Sequence, residues 1–411
     1  MQQLQLLHKE FAKELPFIHK TQLNCLINTC IVASTSNTLF LTGLGRGILS
    51  KTKTSSNIEK VNRLLGNKHL HMEHASFYAA MALRLIPKWM SPWIHIDWSC
   101  INPTTNLYLL RASLSIKGRS IVLYEECHPK KKENNHGVHQ QFLKNLKATL
   151  PLCKPHVIVT DAGYRAPWFI AIRQMGWHFV GRLRNKNLVL MEDTSTWQLS
   201  ASFFEQATGI PTHLGAGLLT EEKQVPAHLV LYKGKGKNRH QRNFNKKISA
   251  SGKSKKHSKA AKEPWLLVIS LPLARDNPTH IVNIYPQRMR IEENFRDTKC
   301  PHYGLGLKNS LTRSPERMAI LLLIAAIATW AAWLAGIITI LAGNASDFQA
   351  HSARFTRSLF TVYLGREAIK KKLIVSTLNM VNAIKTLASM VIEAQLEKPD
   401  RRSCGRFSRH H

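Results

Sequence analysis

Acidic residues are scarce in this chain, 25 Asp and Glu against 58 Lys and Arg, so an acid inside an apolar, strand-like run calls for a reason. Burying a lone carboxylate is costly unless it is paired or bound to a metal ion. Asp97 lies in Trp93-Ile94-His95-Ile96-Asp97-Trp98, and Asp161 follows Val157-Ile158-Val159-Thr160 just ahead of Ala162-Gly163-Tyr164. Carboxylates so placed can converge at a sheet edge and hold Mg²⁺ through oxygen, leaving positions open for phosphate and water. Taken singly, a hydrogen-bonded turn aspartate explains either position better, and a third element shifts the balance. Tyr285, Arg288, Glu292 and Lys299 are spaced by three, four and seven residues. On a continuous helix at 100° per residue they fall within an arc of about 60°. A hydroxyl, two cations and a carboxylate on one stripe suit DNA phosphates beside a metal ion. The solvated face of a basic helix is the competing reading of that spacing.

The elements that must carry these residues are legible in outline. From about Pro92 the runs WIHIDWS, LYLLRASLSI and SIVLYEE predict three strands, with Gly118 in a turn. A polar helix near HQQFLKNLKATL, the strand VIVTDAG, a helix from about Pro167 and the strand WHFVGRLR follow. This is an α/β plan with a mixed central sheet, an order shared by ribonuclease-H-like nucleases. Between residues 186 and 278, LVLMED, HLVLYKG and PWLLVISLPL add strand-like pieces around a tract from Lys233 to Lys262 with twelve Lys and Arg and no Asp or Glu. Such a tract cannot bury a core of its own. It is expected to lie along phosphates as a flexible loop, with a solubilising stretch or a localisation signal as the alternatives. Residues 1–88 read as helices, one of them starting at Ser56-Asn57-Ile58-Glu59 as a capping box. Lys51, Lys53, Lys60, Arg63 and Lys68 surround it, consistent with a small DNA-binding domain or with a merely solvated basic face. Helix returns at about Thr279 and dominates to the end.

Composition narrows the partners. A net charge of +33 and a pI near 10.2 attract polyanions, nucleic acid first and an anionic membrane surface second. The seven cysteines include no C-x-x-C pair, which argues against a zinc ribbon or a disulfide framework and fits a reduced cytoplasm. The start of the sequence is amphipathic and lacks a signal-peptide pattern, so secretion is not expected. Ala319 to Gly343 is free of charge over 25 residues, long enough for a membrane span; no other segment looks like a second span, and a helix buried in a large core is the expectation. His69, His71, Glu73 and His74 read as a solvated helix end rather than a metal site. Trp265, at the end of the basic tract, suits either base stacking or a core position.

IDWS around Asp97, VTDAGYRAPW around Asp161 and IYPQRMRIEENFRDTKCPHYGLGL around Glu292, in that order, resemble the bacterial insertion-sequence transposases. Those enzymes carry an Asp-Asp-Glu triad and a Tyr-x2-Arg-x3-Glu-x6-Lys signature and form the insertion sequence four family. LVLYKGK and AKEPWLLVISLP between the motifs extend the likeness, which runs from LGRGILSKTKTSSNIEKVNRLLGNKHLH through the apolar helix.

The resemblance implies a ribonuclease-H-like catalytic core with a β-rich insertion, flanked by helical N- and C-terminal domains. The boundaries expected are 1–88 for an N-terminal DNA-binding domain and 89–185 with 279–345 for the core. Residues 186–278 would form the insertion with its basic loop 233–262, residues 346–398 a C-terminal domain and candidate dimerisation element, and 399–411 a disordered basic tail. It implies catalytic and metal-ligating roles for Asp97, Asp161 and Glu292, with Asp97 shared by two Mg²⁺ ions that Mn²⁺ would replace. DNA contacts are expected from Tyr285, Arg288 and Lys299, with Trp265 as a candidate stacking platform. The partners would be double-stranded DNA, both element ends and target, and a second copy of the chain; a membrane is not expected, and the location would be the cytoplasm and nucleoid. Pro286 departs from an unbroken helical stripe: a break is expected at Tyr285, with Pro286 in the first turn of a helix carrying Arg288, Glu292 and Lys299. A simple nuclease without strand joining, an inactive DNA-binding relative and a membrane-anchored protein are the rival readings.

Overall fold

The computed structural model describes residues 2–152, 154–184, 187–234, 251–252, 254, 262–349, 359–372 and 375–396. The basic tract lies almost wholly outside the described residues, as does the tail 399–411. Two compact units divide the chain, Met1–Lys154 with Met289–Glu397, and Pro155–Arg288. The architecture is mixed α/β.

In the first unit, α1 (Gln2–Glu14), α2 (Lys20–Ser36), α3 (Leu41–Gly47), α4 (Thr54–Leu65) and α5 (Lys68–Leu83) precede a meander of β1 (Trp93–Asn102), β2 (Leu107–Ile116) and β3 (Arg119–Pro129). All three strands are antiparallel, and Gly118 at φ 76° makes the turn from β2 to β3, a conformation that costs glycine no steric penalty. α6 (His136–Thr149) follows, capped by Asn135, whose Oδ1 accepts from the Val138 amide at 3.1 Å. The capping box at Ser56 is not used. α4 starts at Thr54, with Lys53 at its N-cap and no side-chain cap. The buried Asn57 explains the earlier start: its Oδ1 accepts from Ser50 Oγ at 3.0 Å and Thr52 Oγ1 at 2.8 Å, and its amide donates to Ile48 O at 3.2 Å. The preceding loop is thereby tied to the first helical turn.

The second unit contains β4 (Val157–Val159), α7 (Ala166–Gln174) and β5 (His178–Leu183), followed by β6 (Leu188–Met191), β7 (Gln198–Leu199), β8 (Thr212–Leu219), β9 (Val225–Tyr232) and β10 (Trp265–Ile269). Their order across the sheet is β4-β5-β10-β9-β8-β6-β7. β4 and β5 are parallel, as a helical crossover requires, and the remaining pairs are antiparallel. β8, whose sequence THLGAGLL carries two glycines and no clean alternation, had no strand signal. After β10 come α8 (Leu273–Asp276), α9 (Pro278–Ile284) and a 3-10 turn over Tyr285–Arg288.

The chain then re-enters the first unit with α10 (Met289–Lys299), α11 (Pro315–Leu341), α12 (Thr361–Lys370) and α13 (Thr377–Leu396). α11 is the long apolar segment. It is long and apolar enough to cross a membrane, yet 94% of its most apolar stretch is buried, against α2, α5, α12, α13 and β3. Ser314 caps it by accepting from the Arg317 amide at 3.3 Å, and Pro315 occupies the first turn, where its missing amide is harmless.

Candidate active site

In the first unit, β1 is buried from Trp93 to Ile96 and half-buried from Asp97 to Cys100, so Asp97 stands where the strand emerges from the core. Its Oδ1 accepts from the Trp98 amide at 2.8 Å. Trp98 points to the other face of the strand and donates from Nε1 to His139 Nε2 at 2.9 Å; burial lowers His139 to about 4, which keeps it a neutral acceptor. Ser99 shares the face of Asp97, since strand side chains alternate. Lys299 reaches that face from the last turn of α10, donating to Ser99 Oγ at 2.8 Å and Cys100 O at 3.0 Å. Burial, together with Arg111, lowers the Lys299 pKa, and Glu292 acts in the opposite sense.

Glu292 is exposed on α10, seven residues before Lys299 and therefore about 20° from it around the helix. The other two acids of this helix are engaged: Glu293 pairs with Arg296, and Asp297 with Arg119 at 2.7 Å. Glu292 takes part in none of the ion pairs formed among the described residues.

In the second unit, Asp161 is half-buried just beyond the C-terminal end of β4 and accepts from the Gly163 amide at 2.7 Å. Tyr285 is buried, with Trp265 edge-on at 5.2 Å and the Arg288 guanidinium 5.5 Å from the ring centre. Burial pushes the tyrosine hydroxyl above its ordinary pKa; Arg288 and Arg182 pull it back and Asp161 adds to the rise. Trp265 also meets its cross-strand partner Tyr232 edge-on at 5.9 Å. The four-residue stripe is interrupted as Pro286 demands, but further along than expected. Tyr285 still donates its amide to Ile281 O; Pro286 has none to give, the next residues wind as a 3-10 turn, and the α-helix resumes only at Met289. Arg288 and Pro286 therefore lie in the 3-10 turn, and only Glu292 and Lys299 share the α-helix.

Asp97, Glu292 and Lys299 thus belong to the first unit, and Asp161, Tyr285, Arg288 and Trp265 to the second. Among the described residues no group of three or more His, Cys, Asp and Glu side chains is gathered into a metal cage. The candidate donors Asp97, Asp161 and Glu292 are all carboxylates, which suit Mg²⁺ or Mn²⁺ better than zinc. An exposed glutamate that forms no ion pair among the described residues, in a chain of net charge +33, fits such an ion.

Residues 104–330 match the family described as Transposase DDE domain, more than half of the 411 residues. The chain belongs to this transposase family. The matched segment contains Asp161 and Glu292 and begins seven residues after Asp97. No curated protein matches the chain. A transposase acts on nucleic acid, and the excess of cations has its explanation there.

Arg182 escaped the sequence reading. Its Nη2 donates to Pro264 O at 3.1 Å and it faces Glu263 and Tyr285. A cation inside the apolar run WHFVGRLR is the same signal that singled out Asp97, and it could have been found.

Proposed function

We propose that this transposase moves DNA by cut and paste as a member of the insertion sequence four family, with a likeness to the transposase of transposon ten. Asp97, Asp161 and Glu292 would supply the oxygen ligands for two Mg²⁺ ions. When bound, the ions supply Lewis-acid activation of water or a 3′-hydroxyl and stabilise the leaving oxygen. Glu292 carries this reading: it is the acid of α10 that forms no ion pair among the described residues, on the stripe of a lysine anchored beside Asp97. Arg288 and Lys299 hold phosphates, which fix the strand but read little sequence. The ribonuclease-H-like core, the domain boundaries and a dimer engaged with both element ends belong to the same reading. Incubating the protein with DNA carrying element ends, Mg²⁺ and a target plasmid tests it. Joined products are expected; cleavage without joining would make the chain a nuclease, and binding without cleavage an inactive relative.

One site that cuts two strands of opposite polarity can do so by letting the freed 3′-hydroxyl of the element end attack the opposite strand and close a hairpin. A hairpin tip leaves a base unstacked, and stacking on an aromatic face returns about 1–3 kcal/mol. Trp265 is the proposed platform, supported by its half-buried position and its contact with Tyr285. Trp265→Ala is expected to nick the first strand normally while hairpin yield falls roughly tenfold to a hundredfold. Denaturing gels of an end-labelled duplex resolve the two species, and a normal hairpin yield from folded protein removes Trp265 from this role.

A further inference from the structure

Three charged residues of the meander stand on one rung. Asp97 pairs in register with Arg111, and Arg111 with Glu125. Directly paired residues of an antiparallel sheet project from the same face, with Cβ atoms about 4.5–5.5 Å apart. Arg111 is therefore flanked by two carboxylates, one of them the proposed metal ligand.

Its hydrogen bonds favour the other. Arg111 Nε donates to Glu125 Oε2 at 2.7 Å, and Nη2 lies 2.6 Å from the same oxygen. Tyr78 fixes Glu125 from behind, its hydroxyl donating to Oε1 at 2.9 Å. The remaining nitrogen, Nη1, turns to α10, donating to Asn294 Oδ1 and, at 3.3 Å, to Thr298 Oγ1. Asn294 in turn donates to Ser120 O at 2.9 Å. Arg111 and Glu125 are each 1% exposed. An ion pair so deeply buried rarely adds stability over apolar residues of the same size, which leaves its presence beside Asp97 to be explained by what it does there.

We propose that Glu125 neutralises Arg111 and holds its guanidinium off Asp97, so that the Asp97 carboxylate keeps its affinity for a divalent cation. Arg111 and Glu125 are positioning residues that touch neither DNA nor metal. The inference rests on Asp97 being a metal ligand.

Glu125→Gln leaves a buried guanidinium uncompensated, with Asp97 its in-register neighbour on the adjoining strand. The variant should bind Mn²⁺ about tenfold more weakly, a change equivalent to one charge contact of about 1.4 kcal/mol. Arg111→Met with Glu125→Gln removes the cation as well, keeps an acceptor for Tyr78, and should restore Mn²⁺ affinity to within about threefold of the parent. A merely structural role for the pair predicts the reverse, with the double variant at least as impaired as the single.

The experiment titrates Mn²⁺ into the full chain and follows the free ion by electron paramagnetic resonance. Circular dichroism in EDTA selects the folded variants. Glu125→Gln binding Mn²⁺ like the parent overturns the inference, and so does a double variant weakened tenfold or more. The double variant decides alone if the single one does not fold. Asp97→Asn separates the two readings: unchanged Mn²⁺ binding in that variant removes Asp97 as a ligand and both proposals with it. Loss of binding there, with normal binding in Glu125→Gln, overturns this inference alone.

Discussion

Asp97→Ala, Asp161→Ala and Glu292→Ala, made singly, are each expected to lower Mg²⁺-dependent strand cleavage by on the order of 10³-fold or more. A bound ion supplies several kcal/mol of charge stabilisation in phosphoryl transfer, and each 1.36 kcal/mol is a factor of ten. Binding to element ends should change by no more than about twofold to threefold, because affinity for duplex DNA comes mainly from cations on phosphates. The surroundings support a clean separation of the two effects. Glu292 is exposed and outside the ion pairs formed among the described residues, so its loss leaves α10 anchored through Lys299 on Ser99 and Cys100. Among the contacts of Asp97 and Asp161 are bonds from nearby amides, of Trp98 and Gly163; for these two, Asn variants keep an acceptor and serve as controls. Cleavage of an end-labelled duplex and gel shifts in EDTA measure the two quantities. Substantial cleavage by any one variant would take that residue out of the triad.

Gly365→Ala is expected to destabilise the first unit by about 3 kcal/mol or more, in the range of severe overpacking. A Cβ at Gly365 would fall 1.8 Å from Ala332 O and 2.6 Å from the Gly336 amide nitrogen, and one at Gly336 would fall 2.0 Å from Thr361 O. Carbon and carbonyl oxygen ordinarily approach no nearer than about 3.3 Å. Both clashes are with backbone, so no rotamer change relieves them. α11 and α12 must separate and lose apolar contacts on both sides of the crossing. For a unit of this size the melting temperature should drop by roughly 6–12 °C. Gly209→Ala, where an added Cβ meets nothing within 4 Å, is the control. A Gly365→Ala protein that melts with the parent would show that the helices can part at little cost.

Much of the fold and part of the candidate site were readable from local pattern. Alternation and turn residues sufficed for β1, β2 and β3, because one side of each strand must be apolar whatever it packs against. Asp97 and Asp161 stood out by their cost in apolar surroundings, and Glu292 and Lys299 by a seven-residue spacing that any α-helix turns into one stripe. Pro286 foretold a break, since a missing amide is a local fact. Its extent was not readable: the 3-10 turn runs to Arg288 and removes that residue from the helix of Glu292.

The remainder depended on contacts between distant segments. Hydropathy describes α11 equally well as a membrane span or a core helix, and only the helices and strand packed around it bury it. The capping box at Ser56 was a sound local signal that lost to the network made by Asn57 with the preceding loop. Gly336 and Gly365 are 29 positions apart in a chain with 21 glycines, and nothing in either neighbourhood says that two backbones meet there. The rung of Asp97, Arg111 and Glu125 is of the same kind. Each residue could be seen to be charged within an apolar strand, but which carboxylate the arginine takes is fixed by strand register and by Tyr78 and Asn294. These groups come together only once separate segments have packed, because register is a property of paired strands and not of either one alone.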